Sequence, residues 1–600
     1  ICTDKTGTLT QNVMTVTCVE LPSQHVVVGA GDPVSVPEAA QREVGLCLGG
    51  AALASDAVLN SRDNSAVAWS ALGDPTEGAL VVAAARVGLD KAVLDALLPR
   101  AGEAPFDSDR KRMSTLHRPT GTPAEGGAPV VEFMDACGIS GDSGGVVFAK
   151  GAVGSILDVC TQIRRDGTSV PLDGPERDRI RAQMETLAGE GVRILGVAYR
   201  CGVPDAPSCM AEDLERDLTF LGLIGMMDPL REDVKASVAE CQKAGIRPIM
   251  ITGDHPAMAR HIAKSLSMPV DGNVVTGLDI AAMSEEDLIA AVGKSCVFAR
   301  VSPEDKLRIV DALQARGEIA SMTGDGVNDA PALKSADIGV AMGITGTDVA
   351  KEASDMVLLD DRYATIVAAV REGRVIFDNI CRFIRFILAS NSGELLVMLM
   401  APLFGMPLPL FPVQILWMNL VTDGLPALAL GVEGAESDVM LRPPRDPNAP
   451  LIDWAMGRSV LWVGLLIAIL SLWVGKVFFA GAGGGEAVIA HGHGGGAAAV
   501  WQTMLFTTMV LAQLFLAMAV RSSRESLFSI GVFSNRPMVA ALAVTLVLHL
   551  GVIYVPVMQG FFKTTALSLS ELGLCVVAGA TVFVAVEVEK LILRLRHPVA

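Results

Sequence analysis

Asp4, in the run Asp4-Lys5-Thr6-Gly7-Thr8-Leu9-Thr10, is the residue whose setting most directly calls for chemistry. It follows the apolar lead Ile1-Cys2-Thr3, which reads as the end of a buried strand. A carboxylate at the C-terminal end of a strand in an α/β sheet stands where ligands bind. The Lys, Thr and Gly behind it suit a tight turn that offers backbone N–H groups to an anion. An Asp so placed can accept a phosphoryl group and hold it as an acyl phosphate.

Three later stretches supply partners for that carboxylate. A strand at 246–251 runs into Thr252-Gly253-Asp254-His255, with Thr252 expected as the N-cap of the next helix, and a helix N-terminus binds anions. In Ser302-Pro303-Glu304-Asp305-Lys306, Pro303 marks a helix start. Lys306 then lies in the first turn, where a cation opposes the helix dipole, so it is read as held to meet phosphate. A strand at 318–322 is followed by Thr323-Gly324-Asp325-Gly326-Val327-Asn328-Asp329-Ala330-Pro331. Mg²⁺ takes a few carboxylates with phosphate oxygen and water, and Asp325 with Asp4 would provide them. Asn328 and Asp329 would bind phosphoryl oxygens or fix the loop.

Between these partners lies a region suited to a nucleotide. Gly73-Asp74-Pro75-Thr76-Glu77-Gly78 is a turn entering a helix. Phe106 precedes the cations Arg110, Lys111 and Arg112, so it could stack on a purine while Lys111 meets a phosphate. Lys150 stands beside Gly151 at a strand end, and Arg193 lies on a strand among apolar neighbours. The stretch 119–145, rich in Gly, Pro and Ala, reads as a loop.

Six hundred residues exceed one core, so several domains must position these groups. The chain is 51% apolar yet 19% charged, as expected of a soluble part joined to a membrane part. Its net charge of −18 argues against nucleic acid as a partner. Eleven scattered Cys residues without a C-x-x-C pair read as reduced thiols of a cytosolic protein. The expected fold is a Rossmann-like α/β phosphorylation domain in two segments, 1–12 and 228–376. An α+β nucleotide-binding domain at 13–227 interrupts it, and an all-α membrane domain of six helices at 377–600 follows. Spans are placed near 384–405, 411–432, 459–480, 500–520, 538–558 and 572–593, each close to the ~20 residues that cross a bilayer. Arg382, Arg385, Arg442, Arg445, Arg458, Arg521, Arg524, Arg536, Arg594 and Arg596 fall on one side, which puts the soluble domains in the cytoplasm. The loop at 481–499, with His491 and His493, reads as a flexible outer linker.

Two spans carry polar groups at depth. Asn391 and Glu394 are three apart on the first, and Asn419, Thr422 and Asp423 at i, i+3, i+4 would face one way on the second. Charge inside a bilayer is costly and usually marks an ion path. Gln513 on the fourth span reads equally as ligand or as interhelical glue. All these groups offer oxygen and none offers sulfur, which suits a hard cation such as Ca²⁺.

By its motifs the chain resembles the P-type ATPases, specifically the type II cation pumps. The match rests on Asp4–Thr10, Lys150-Gly151-Ala152, Asp228-Pro229-Leu230-Arg231, Thr252-Gly253-Asp254, Lys306 and Thr323–Pro331. Ser390-Asn391-Ser392-Gly393-Glu394 and 417–426 look like the sarcoplasmic-reticulum-type calcium pumps. The resemblance implies a haloacid-dehalogenase-like phosphorylation domain, with Asp4 phosphorylated and Mg²⁺ held by Asp4, the Thr6 carbonyl and Asp325. Thr252, Gly253, Lys306 and Asn328 would contact the phosphoryl group, with Asp254 in the same catalytic set and Asp329 supporting it. Glu77, Phe106, Lys111, Lys150, Arg193 and Arg231 would serve ATP. Asn391, Glu394, Asn419, Thr422, Asp423 and Gln513 would hold the transported cation, with Gln513 standing where the two-site calcium pumps carry a Glu. The resemblance further implies an actuator domain and first four helices that lie outside this chain, while the Ala- and Gly-rich composition without a sorting signal points to a bacterial plasma membrane. The remaining readings are a pump for Mn²⁺ or a monovalent cation, a membrane-anchored phosphatase and an inactive gene fragment. Soluble phosphatases of the fold place an Asp two positions after the nucleophile, where this chain has Thr6.

Overall fold

In the computed structural model of this protein, residues 1–28, 36–60, 69–120, 127–138, 144–203, 211–270, 274–481 and 497–596 are described. His491 and His493 lie outside the described residues. The chain forms two compact units, one of Ile1–Gln242 with Ile246–Ile366, the other of Lys243–Gly245 with Val367–Ala600.

The first unit is built on two sheets. Strand Cys2–Asp4 sits fourth in a seven-stranded parallel sheet, between Ile249–Thr252 and Ser321–Gly324. Val297–Ala299 and Val275–Thr276 extend one side, Ile338–Met342 and Met356–Leu358 the other. These strands are short and almost wholly apolar because helices cover the sheet, so Cys2, Ile249, Ile251, Phe298, Met322 and Ala341 all enter one core. The order reverses around Cys2–Asp4, and the crevice beyond the strand ends at such a reversal is where a ligand is received.

The second sheet is nine-stranded and largely antiparallel, running from Arg100–Asp107 through Arg112–His117, Gly145–Gly151, Arg193–Val203 and Leu218–Met227. It is inserted between the first strand of the parallel sheet and the rest. Two crossings join the sheets, and they are tied together. Thr10 bridges Leu230, Gln11 N–H donates to the Pro229 carbonyl, and Asp228 accepts from the Thr10 hydroxyl at 2.5 Å.

Several local expectations shift. The stretch read as a loop at 119–145 contains helix Ala128–Ala136, since Val130, Phe133 and Met134 bury against helix Gln41–Leu53. Its remaining residues at 121–126 and 139–143 lie outside the described residues. Thr252 is the last residue of its strand, and His255 caps helix Pro256–Ser265 instead, because Pro256 fixes the first helical position.

The second unit contains six helices long and apolar enough to cross a membrane: Tyr363–Leu403, Pro412–Leu430, Trp454–Phe479, Val500–Ala519, Arg536–Tyr554 and Leu569–Arg596. They are called here the first to sixth spans. The first is a single 41-residue helix. The second is interrupted by a π-turn at Met418–Thr422. The fourth is the most enclosed, with Trp501, Met504, Leu505, Met509 and Val510 almost fully buried.

Candidate functional site

The first site lies at the C-terminal ends of the central parallel strands. Asp4 ends its strand and Lys5–Leu9 form a wide turn in which Gly7 adopts φ +75°. A side chain would be strained at that φ, and the Cβ built there stands 3.6 Å from Asp325 Oδ2. Lys306, on the first turn and a half of helix Pro303–Ala315, reaches the same point. Its ammonium donates to Asp4 Oδ2 at 2.6 Å and to Asp329 Oδ1 at 2.8 Å. Burial alone would lower the Lys306 pKa, but Asp4 and Asp329 outweigh it and hold the ammonium above its ordinary value.

Asp329 uses its other oxygen on the loop, accepting from the backbone N–H of Asp325 and of Gly326 at 3.3 and 3.1 Å. Of the two roles expected for Asp329, the structure displays loop fixing. Asp325 differs. Its carboxylate makes no ion pair among the described residues, and burial, then Asp329 and Asp4, push its pKa up. Three carboxylates therefore face one lysine, an imbalance that a divalent cation would correct. The donors are hard oxygens, which suit Mg²⁺. Among the described residues no three His, Cys, Asp or Glu side chains form a closed metal cage. Such an ion would need the Thr6 carbonyl and phosphate oxygens as well.

Thr252 is buried and its hydroxyl accepts from Asp254 N–H at 3.2 Å. A Cβ on Gly253 would meet nothing, so the space above it is open. Asn328 is exposed at the same rim. Asp254 is ion-paired to Lys5 at 2.5 Å, and Lys5 is itself buried. The sequence places Lys5 in the turn behind Asp4 but gives no sign of its pairing with Asp254. Arg231 donates to the carbonyls of Gly7 and Thr10 at 2.9 and 3.1 Å. Its guanidinium is thus committed to the turn behind Asp4, and the structure does not bring it to the nucleotide residues.

Those residues gather on the antiparallel sheet. Lys150 is buried and donates to Glu77 and to Ser55, each at 2.7 Å. Burial lowers its pKa, with Glu77 opposing. Glu77 also accepts from Asp56 N–H at 2.7 Å, so it is fixed from two sides. Lys111 turns at φ +53° between two strands, and its carbonyl accepts from Ala152 N–H at 2.9 Å beside the Lys150 strand end. Phe106 is 65% exposed on the adjacent strand, an unusual setting for a large ring that has no surface to cover. Arg193 opens strand Arg193–Val203 in an exposed position.

The second site lies within the second unit. Glu394, buried on the first span, accepts from Gln513 at 2.9 Å and from Asn419 at 3.2 Å. Asp423 and Thr422 are buried beside the π-turn, while Asn419 is exposed. The expected common face fails because a π-turn changes the angle per residue. Asn419 still reaches Glu394 through its long amide. Asn391 is half-buried. Both carboxylate oxygens of Asp423, the Thr422 hydroxyl, the Gln513 carbonyl oxygen and the Ser390 hydroxyl are buried without a hydrogen-bond partner among the described residues. Ser390, four residues before Glu394, was missed because Ser inside an apolar helix gives no charge signal. A concentration of orphaned oxygens is costly unless something satisfies them, and a dehydrated hard cation would.

Comparison with known proteins agrees along the chain. Family models match for the P-type ATPase cytoplasmic domain N at 46–233, a haloacid dehalogenase-like hydrolase at 174–337 and the C-terminus of cation-transporting ATPases at 407–592. A calcium-transporting ATPase of Bacillus subtilis is 42% identical over 582 residues, covering 95% of this chain and 61% of the relative. Calcium-transporting ATPase 1 of Bacillus cereus is 38% identical, covering 98% and 63%. A probable cation-transporting ATPase F of Mycobacterium bovis is 38% identical, covering 99% and 63%. The chain thus spans about three-fifths of the length of these curated relatives.

Proposed function

We propose, from the P-type ATPase domains that this chain carries, that it is the phosphorylation, nucleotide-binding and membrane portion of an ATP-driven cation pump, with Ca²⁺ as the cation. The observation that carries this reading is the Lys306 ammonium bridging Asp4 and Asp329 at 2.6 and 2.8 Å, where the strand order reverses.

In this reading an oxygen of Asp4 attacks the γ-phosphorus of ATP in line, the bond to the bridging oxygen breaks, and ADP leaves. Lys306 moves from pairing with the free carboxylate to meeting the transferred oxygens. Thr252, the open Gly253 backbone and Asn328 take the remaining oxygens. A Mg²⁺ bound by Asp4, Asp325 and the Thr6 carbonyl would offset phosphate charge. Phe106 stacks the base, and Lys150, Lys111 and Arg193 meet the phosphates. Because Thr6 replaces a second Asp, no carboxylate of the turn itself is placed to activate water, so the acyl phosphate is long-lived, as a pump needs and a phosphatase does not. Glu394, Asp423, Thr422, Asn419, Gln513 and Asn391 receive the cation. The soluble domains are cytoplasmic, and a bacterial plasma membrane fits the relatives.

The test is labelling from γ-³²P-ATP in membranes carrying the protein. A hydroxylamine-labile label that requires Ca²⁺, and that Asp4→Asn removes, is expected. Labelling triggered by Mn²⁺ or Na⁺ in place of Ca²⁺ would move the ion assignment. Steady release of phosphate from a small phosphate ester would favour the phosphatase instead.

A further inference from the structure

The turn between strands Arg100–Asp107 and Arg112–His117 carries three cations in a row, Arg110, Lys111 and Arg112. Two of them are spent on a single carboxylate, that of Glu215. Arg112 Nε donates to Glu215 Oε2 at 2.7 Å. Arg110 Nη1 donates to Oε1, which also accepts from the Ser114 hydroxyl at 3.1 Å. Glu215 is buried just after the short helix Ala211–Leu214, 105 positions from Arg110 and 103 from Arg112. Burying a carboxylate is costly unless it is paired and hydrogen-bonded, and here both oxygens are occupied. Lys111, between the two arginines, is exposed and makes no ion pair among the described residues. It holds φ +53°, a left-handed conformation that a residue with a side chain keeps only where its surroundings impose it. Asp107 closes the turn from one side, its Oδ1 accepting from the N–H of Asp109 and of Arg110 at 2.9 Å each. Glu215 grips the residue on either side of Lys111.

We propose that Glu215 is a positioning residue for the nucleotide. By holding Arg110 and Arg112 it keeps both guanidiniums from the ligand's phosphates and fixes the turn that presents Lys111 to them. The proposal rests on the reading of Lys111 as a phosphate contact and not on which ion is carried. The sign of the effect separates positioning from plain electrostatics. Removing a negative charge near a polyanion favours binding, and so does freeing two guanidiniums that could meet phosphate. Loss of a positioning contact weakens it.

The test is binding of a fluorescent ATP analogue to the full chain in detergent, with thermal unfolding of each variant alongside. Lys111→Ala should weaken binding by roughly tenfold, the effect of one hydrogen bond to a charged group. Glu215→Gln should weaken it by roughly fivefold, and should add nothing in a Lys111→Ala background, because it acts through that lysine. In labelling of Asp4, Glu215→Gln should raise the ATP concentration for half-maximal labelling by the same factor and leave the maximal rate unchanged. Glu212→Gln removes the same charge from an exposed position on helix Ala211–Leu214 and should not weaken binding. If Glu215→Gln does not fold, Arg110→Gln, which leaves the acid paired with Arg112, takes its place in the same double-variant comparison. Unchanged or tighter binding in folded Glu215→Gln, or losses that multiply with Lys111→Ala in either variant, would overturn the proposal. Unchanged binding in Lys111→Ala would remove that lysine from the nucleotide site and overturn it as well. Failure of the unaltered chain to bind the analogue would sink the nucleotide reading itself, and the proposal with it.

Discussion

The two polar clusters of this molecule are built from the same oxygen chemistry, yet they stand in opposite states. Around Asp4, burial of carboxylate is offset within the protein: Lys306 neutralises part of the charge, and Asp329 is saturated by one ammonium and two backbone N–H groups. Around Glu394 no cation among the described residues plays the part of Lys306. Glu394 has only amide donors, and Asp423 with the three neighbouring oxygens of Thr422, Gln513 and Ser390 has no partner among the described residues. On the proposed reading, a cluster that holds its geometry while phosphate comes and goes is kept partly satisfied. On the same reading, a cluster that binds a bare ion is left short of positive charge, beside a π-turn that departs from regular helix.

The contrast breaks most visibly at Lys306. Lys306→Met leaves half-buried Asp4 and buried Asp329 without their counter-charge and should destabilise the first unit by about 2–4 kcal/mol. Labelling of Asp4 should fall by at least ~10²-fold, as for loss of a charge-stabilising donor. Thermal unfolding in detergent, followed by the exposure of a tag in each unit, measures the first effect. A Lys306→Met chain as stable as the parent would mean that the cluster is not balanced by this lysine.

The same kind of change has the opposite sign in the other cluster. Asp423→Asn removes an uncompensated charge, so in the absence of cation the spans should gain stability, by about 1–3 kcal/mol. Binding of ⁴⁵Ca²⁺ to the purified chain should disappear with it. A variant that loses stability without ion would show that Asp423 is already satisfied within the protein.

Asp325 sharpens the picture on a smaller scale. Its folded pKa is raised, so the cost of its charge grows as pH rises from the ordinary carboxylate value of 3.8 through the raised value. Mg²⁺ competes with that proton. Affinity should therefore fall as pH drops through the raised value, by at most about tenfold per pH unit, and recover above it. Mg²⁺ titration by quenching of a fluorescent nucleotide reads the slope, which Asp325→Asn should abolish. The smallest expected effect is at the turn behind Asp4. Arg231→Lys keeps the charge but loses the two-carbonyl geometry, costing about 1 kcal/mol. A slower rate of Asp4 labelling with unchanged nucleotide binding would follow, whereas weaker nucleotide binding would return Arg231 to the ATP site.

Much of the architecture was legible because it depends on local pattern. Short apolar strands ending in polar turns announced a covered parallel sheet, and the apolar runs announced the six spans. Helix Ala128–Ala136 was not legible, since its Gly- and Pro-rich flanks masked an apolar face that only burial against Gln41–Leu53 makes helical. Thr252 was misassigned as a cap because the sequence cannot say which of several polar residues after a strand begins the helix.

Sequence alone picked out the residue types: a carboxylate at a strand end before a glycine turn, a later lysine, an acidic loop, an aromatic ring among cations and oxygen groups within apolar helices. Only the tertiary structure decided how each is used. Lys306 is 302 positions from Asp4, and no local pattern fixes that ion pair. Arg231 was drawn to the Gly7 turn, and Asp423 was left without a partner. Which charges are offset and which are left unmatched depends on groups brought together from distant segments, and burial is what makes the difference large enough to matter.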